Sequence, residues 1–129
     1  MKAPAAGDTL PDLVKHPTTR QLVQYAGASG DFYEIHYDQD FARSTGLPGV
    51  ILHGLLKAAF LAELVTSWAG PEARLKTFDV SYRGIDVPGR PYRCGGRVRE
   101  VSGALAEVEL WGEDPEGNRT TLGTATVEF

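Results

Sequence analysis

The sequence predicts an α+β chain in which an antiparallel sheet curls round one long buried helix. Three observations predict it. Leu55 to Trp68 (LLKAAFLAELVTSW) is apolar on nearly every face, with charge only at Lys57 and Glu63, and a helix of that kind is a buried one. From Glu72 onward the period changes: Phe78, Val80 and Tyr82 alternate with Thr77, Asp79, Ser81 and Arg83, the two-residue repeat of a half-buried strand. Ser102-Gly103 and Asp114-Pro115-Glu116-Gly117-Asn118 then divide the remainder into hairpin-sized strands. At 129 residues the chain fits one domain, 1–129, and its 42% hydrophobic and 23% charged content is ordinary for a globular protein.

Taken in order, residues 1–8 (MKAPAAGD) are small and Pro/Ala-rich, the composition of a loosely held leader. Thr9 to His16 reads as a short strand, and Pro11 places it at a sheet edge. Thr18 and Thr19 are N-cap residues for a first helix over 19–28, whose Leu22, Tyr25 and Ala26 share one face. Ser29-Gly30 ends that helix and throws Asp31 into a loop; a brief second helix follows at Gln39 to Ser44 with Asp38 as its cap. The apolar helix spans 54–69, about 24 Å at a rise of about 1.5 Å per residue, and Gly70-Pro71 stops it. After the first strand, Ile85 to Gly89 forms a turn or bulge, and further strands at about 91–100, 103–113 and 119–129 make an antiparallel meander.

The totals exclude several functions. A net charge of −4 argues against general nucleic-acid binding, and the basic concentration from Arg83 to Arg99 is broken by glycines and prolines. Arg83, Arg90 and Arg93 accordingly read as a solvated strand face. A single cysteine, Cys94, excludes an internal disulfide and a cysteine metal cluster; it reads as a small buried apolar side chain. No N-terminal apolar segment follows Met1-Lys2 and no apolar run is long enough to span a bilayer, so no membrane span is expected and the cytoplasm is the default location.

The chemistry concentrates between Ala28 and Gly54, where Asp31 and His36 stand with four residues between them ahead of the buried helix. Alone, an Asp after Ser-Gly is a turn residue, and a His in an Ile-His-Tyr run is surface or core filler. Together, before a glycine-started apolar helix, they read as an acid/base pair able to hold one water. An imidazole pKa of about 6.5 suits that work near neutrality. Gly54, in the first turn of the helix, offers a backbone N–H backed by the helix dipole, and glycine there leaves room for a ligand. His53 reads as a structural hydrogen-bonding residue, Glu34 as a solvated one and His16 as exposed.

Ser29-Gly30-Asp31-Phe32-Tyr33-Glu34-Ile35-His36 resembles the motif S/T-G-D-x-N-P-I/L/V-H of the MaoC-like, (R)-specific enoyl-CoA hydratases. Gly46 to Gly54 (GLPGVILHG) is similar to that family's lead into its central helix, and Tyr82-Arg83 with Val87-Pro88-Gly89 to its following strand and turn. The likeness covers about residues 10–129. It departs where Tyr33-Glu34 replaces the usual Asn-Pro, which alters the loop that holds the substrate.

The resemblance implies a hot-dog fold, an antiparallel sheet wrapped around the central helix. It implies a coenzyme A or acyl-carrier thioester substrate, no metal, and no cofactor beyond the coenzyme A of that substrate. Asp31 and His36 would be the catalytic pair, Gly54 the donor to the thioester oxygen, and Tyr33, Ile35, Leu52, His53 and Leu55 the substrate-binding residues. The implied reaction is reversible addition of water to a (2E)-enoyl-CoA, giving the (R)-3-hydroxyacyl-CoA. An exposed strand edge and apolar flank predict a dimer at least, with a second copy or a different hot-dog chain as in the family's hetero-oligomeric hydratases. Two other readings compete. A thioesterase would want a carboxylate on the central helix, where Glu63 stands some two turns in. A non-catalytic acyl-CoA-binding subunit would normally have lost the acid or the His, and both are present.

Overall fold

The computed structural model describes residues 3–129. Strand β1 (Leu13–Lys15) leads into helix α1 (Thr19–Ser29), a 3-10 turn at Glu34–His36, helix α2 (Gln39–Ser44) and the long helix α3 (Gly54–Ala69). Strands β2 (Arg74–Tyr82), β3 (Tyr92–Ser102), β4 (Leu105–Glu113) and β5 (Arg119–Glu128) follow. All pairings are antiparallel, in the order β1-β3-β4-β5-β2. The meander therefore holds for β3, β4 and β5 alone. β2 does not pair with β3; it crosses to the far edge beside β5, because α3 delivers the chain there and residues 83–91 carry it back across the sheet.

The sheet curls because its ladders slip at Leu75/Thr77, Val98/Glu100 and Gly112/Glu113, and each such irregularity bends and twists the strand that carries it. Helix α3 lies in the resulting trough and touches β2, β3, β4 and β5. Leu56, Phe60, Leu61, Leu64 and Val65 of α3 pack against Tyr92, Cys94, Val98, Val108, Leu110, Ala125 and Val127 of the sheet. Each Val, Leu or Phe among them contributes roughly 1.5–3 kcal/mol by leaving water. This is the hot-dog fold.

The local signals act as read. Thr18 caps α1 by accepting from the Gln21 amide, Gly30 ends it at φ 80°, and Asp38 caps α2 by accepting from the Phe41 amide. The left-handed backbone at Gly30 reverses the chain immediately before Asp31.

Three expectations change. Met1 and Lys2 of the leader lie outside the described residues, but from Ala5 onward the leader is tied down. The Gly7 amide donates to the Val98 carbonyl, the Val98 amide to the Asp8 carbonyl, and Thr9 bridges to Arg97. Helix α3 is not buried all round: Leu55, Ala59, Glu63 and Thr66 form an exposed stripe along one side. Lys57, one of its two charges, is instead buried.

Candidate active site

Asp31 sits in the loop after α1. The Ser29 hydroxyl, which donates to the Tyr25 carbonyl at 2.7 Å, accepts from the Asp31 amide at 3.1 Å. His36 closes the 3-10 turn, and its segment is held from both sides by one residue. The Ile51 amide donates to the Ile35 carbonyl at 3.1 Å, and His36 Nδ1 donates to the Ile51 carbonyl at 2.8 Å. A carbonyl only accepts, so Nδ1 carries the proton of the neutral ring and the Nε2 lone pair is left free. That Nε2 lies 3.7 Å from Asp31 Oδ2, with the imidazole 7% exposed and the carboxylate 37% exposed.

At 3.7 Å the two groups are too far apart for a direct hydrogen bond. Both present acceptor atoms to the same small volume, so one water can donate a proton to each. The carboxylate is reached from solvent while the imidazole is walled in, which opens the pair on one side only.

His53 is the N-cap residue of α3, completely buried, and touches both members of the pair. Its ring stacks on His36 at 3.9 Å between centroids with 19° between planes. Its Nε2 donates to the Asp31 carbonyl at 3.2 Å, and its Nδ1 has no partner among the described residues. Tyr25 meets the same ring edge-on at 4.9 Å. Burial lowers the His53 pKa, and the neighbouring His36 lowers it further, against the smaller opposing pull of Asp31. Such an imidazole charges more readily in the unfolded chain, so between its folded value and about 6.5 the unfolded state binds more protons and stability falls as pH drops. The melting temperature is expected to decline on acidification below about pH 6.5, and His53→Gln, which cannot charge, should flatten that part of the profile. The same slope in the variant would assign the loss to other groups.

Asp31, His36 and His53 offer ligand atoms all within 4.8 Å of one another. The histidine rings are nevertheless stacked nearly parallel, 3.9 Å between centroids. A metal at about 2.0–2.1 Å from both nitrogens would have to lie well out of each ring plane. The geometry suits a proton network better than a metal.

Gly54 opens α3 beside His53, and the amides of Gly54 and Leu55 have no protein acceptor among the described residues, as the first turn of a helix dictates. The space a Cβ would take at Gly54 faces the Tyr82 ring, whose Cζ would lie 3.0 Å away. A protein side chain therefore explains the glycine at this position.

Of the other residues expected at the site, Tyr33 is exposed, edge-on to His36 at 6.3 Å and to Phe41 at 6.0 Å. Ile35 is half-buried and contributes its carbonyl. Leu52 packs in the core and its amide donates to the Asp86 carbonyl, while Leu55 is 58% exposed on the stripe beside Gly54. Cys94 is buried in the core, its thiol pushed up to about 12 by burial. Glu63 is engaged elsewhere: it pairs with Lys15 of β1 at 2.6 Å, nine residues and about 13 Å along the axis from Gly54.

Sequence reasoning missed two tyrosines and an ion pair. Burial raises the Tyr25 pKa and the Asp31 charge raises it further; burial and then Tyr25 do the same at Tyr82. Asp31 and Tyr25 both meet the His53 ring and Tyr82 meets Gly54, so the three converge on the start of α3. Lys57 Nζ donates to the Gly84 carbonyl at 2.9 Å and to Asp86 Oδ2 at 3.0 Å, and Asp86 Oδ2 also accepts from the Thr120 hydroxyl at 2.6 Å. These partners are 27 to 34 residues apart along the chain, and no local pattern links them.

Residues 5–100 match the profile of the MaoC like domain. Over 126 residues the chain is 30% identical to the 3-oxo-4,17-pregnadiene-20-carboxyl-CoA hydratase beta subunit of Mycobacterium tuberculosis, covering 95% of this chain and 93% of that protein. In structure it resembles a chain of the ChsH1-ChsH2 complex from Mycobacterium tuberculosis, with a TM-score of 0.91, 24% identity and coverage of 98% and 99% of the two chains. It also resembles an (R)-hydratase from A. caviae involved in PHA biosynthesis, with a TM-score of 0.90, 20% identity and coverage of 100% and 99%.

Proposed function

Because this chain belongs to the MaoC-like domain family, we propose that it is a hydro-lyase adding water reversibly to a (2E)-enoyl thioester of coenzyme A, giving the (R)-3-hydroxyacyl thioester. One observation carries the reading: Asp31 Oδ2 and His36 Nε2 face each other across 3.7 Å while the imidazole proton is committed to the Ile51 carbonyl. In the proposed reaction a water held by both gives its oxygen to C3 and one proton to the pair, and C2 receives a proton from the same pair. Which of the two acts as base belongs to a coupled pair rather than to either residue. The thioester oxygen, negative while the enolate exists, accepts from the Gly54 amide at the positive end of α3. No metal or cofactor enters this scheme, the coenzyme A being part of the substrate.

The partner is proposed to be a second hot-dog chain. β2 pairs only with β5, so its other edge is unpaired among the described residues, with Leu75 exposed along it. The apolar Leu55 and Ala59 of α3 add to the surface to be covered. The identity to a hydratase beta subunit favours a different chain over a second copy, and with it a role as one subunit of a hetero-oligomeric hydratase. The thioesterase reading lacks a carboxylate at the helix start, since Glu63 is paired with Lys15.

Crotonyl-CoA is the test. Incubation with the chain is expected to bleach the enoyl-thioester absorbance without releasing free thiol. Thiol release would substitute the thioesterase, and no change in either signal, alone or with the chain that co-purifies from the native host, would refute the hydro-lyase.

A further inference from the structure

We infer that the Tyr82 hydroxyl is a second hydrogen-bond donor to the substrate's thioester oxygen, beside the Gly54 amide; the inference rests on the hydratase reading above. Tyr82 is the last residue of β2, placed by its pairing with Thr121 of β5. A Cβ on Gly54 would meet Tyr82 Cζ at 3.0 Å, Cε1 at 3.1 Å and Cε2 at 3.3 Å. Those three atoms are the distal edge of the ring. It is therefore the hydroxyl-bearing end of the side chain that lies against the first residue of α3, where the Gly54 amide is without a protein acceptor among the described residues.

Further observations fit a donor rather than a packing residue. The Tyr82 hydroxyl has no protein partner among the described residues, unlike Tyr37 at the Phe32 carbonyl and Tyr92 at Thr121 but like Tyr25 and Tyr33, so it is free to donate to a ligand at Gly54. The side chain is 47% exposed, so a ligand can reach it. Its ring is also held in place: the Lys57 ammonium, fixed by Gly84 and Asp86, stands 5.9 Å from the ring centroid. Burial and the neighbouring Tyr25 keep the phenol protonated through the neutral range, as a donor must be.

During hydration the oxygen of water bonds to C3 and the electron pair of the alkene moves onto the thioester, leaving charge on its oxygen until C2 is protonated. Gly54 answers that charge from the helix end and Tyr82 from the strand end. No bond to Tyr82 forms or breaks, and its proton stays on the phenol. A donor aimed at charge that develops only in the transition state raises kcat with little effect on ground-state binding.

Tyr82→Phe keeps the ring against Gly54 and removes the hydroxyl alone. With crotonyl-CoA the variant is expected to lose about 10²-fold in kcat with KM nearly unchanged. Acetoacetyl-CoA, whose enolate mimics the reacting state, should show the enolate absorbance band when bound to wild type and lose it on the variant. Wild-type kcat together with an undiminished enolate band in Tyr82→Phe would overturn the donor role while leaving the hydratase reading intact. A wild-type chain that, with any co-purifying partner, neither hydrates crotonyl-CoA nor binds acetoacetyl-CoA as its enolate would overturn both.

Discussion

Asp31→Asn is expected to lower hydration of crotonyl-CoA about 10²–10⁴-fold, the usual contribution of one general acid or base, while leaving the melting temperature near wild type. The two halves of that expectation have separate causes. The carboxylate is more than a third exposed, and its protein contact is a 3.4 Å approach from the Tyr33 amide to Oδ1, which an asparagine oxygen can also accept. The substitution therefore removes little that holds the loop. What it removes is the charge facing His36 Nε2, and with it the ability to take a proton from the shared water. His36→Ala would be a poorer experiment. His36 is buried, stacks on His53 and holds the Ile51 carbonyl, so its loss would open a cavity and unpair a backbone group as well as stop the chemistry. In Asp31→Asn, kcat/KM for hydration and for dehydration should fall by one factor, because the equilibrium constant belongs to the substrates. Turnover within about twofold of wild type would remove Asp31 from the acid/base pair proposed here.

The elements that a local pattern can specify were legible in the sequence. Helix α2 begins where Asp38 offers an oxygen to the Phe41 amide, and α3 runs from Gly54 to Ala69 because glycine-proline punctuation stops a mostly apolar run. The segment between α1 and α2 brings Asp31 to His36 over only four intervening residues, so that proximity was also open to reading. The sheet order was not. An alternating run states that β2 is a strand, but nothing local states that it joins β5 at an edge rather than β3. Placement at an edge is also why β2 is more exposed than its alternation suggested. The stack of His53 on His36, the arrival of Tyr82 at Gly54 and the burial of Lys57 share that origin. Each is a contact made by the assembled trough. A lysine in an apolar helix normally extends its charge to water, and only an aspartate 29 residues later reverses that expectation.

Lys57→Ala is expected to destabilise the fold by about 3–5 kcal/mol, the range for removing one partner of a buried ion pair, and to lower the melting temperature by on the order of 10–20 °C in a chain of this size. Lys57 is 2% exposed and Asp86 8% exposed. Without the ammonium the Asp86 carboxylate stays buried with the Thr120 hydroxyl as its side-chain donor, and the Gly84 carbonyl loses the lysine proton at 2.9 Å. Replacing both charges, as in Lys57→Met with Asp86→Leu, leaves no uncompensated ion and should recover most of the loss, since apolar replacements of whole buried pairs are often neutral. The difference between the single and double variants separates the penalty of an orphaned charge from the net worth of the pair. A loss below about 1 kcal/mol in Lys57→Ala, the level of a solvated surface pair, would mean that water reaches Asp86 freely. The double variant also separates stability from position. The pair joins the first turn of α3 to the segment whose Asp86 carbonyl accepts from the Leu52 amide, and it holds the ammonium behind the Tyr82 ring. If charge is needed there only for folding, the refolded double variant keeps wild-type turnover; if it sets where Gly54 and Tyr82 meet the thioester, kcat falls in a protein whose melting temperature has been restored.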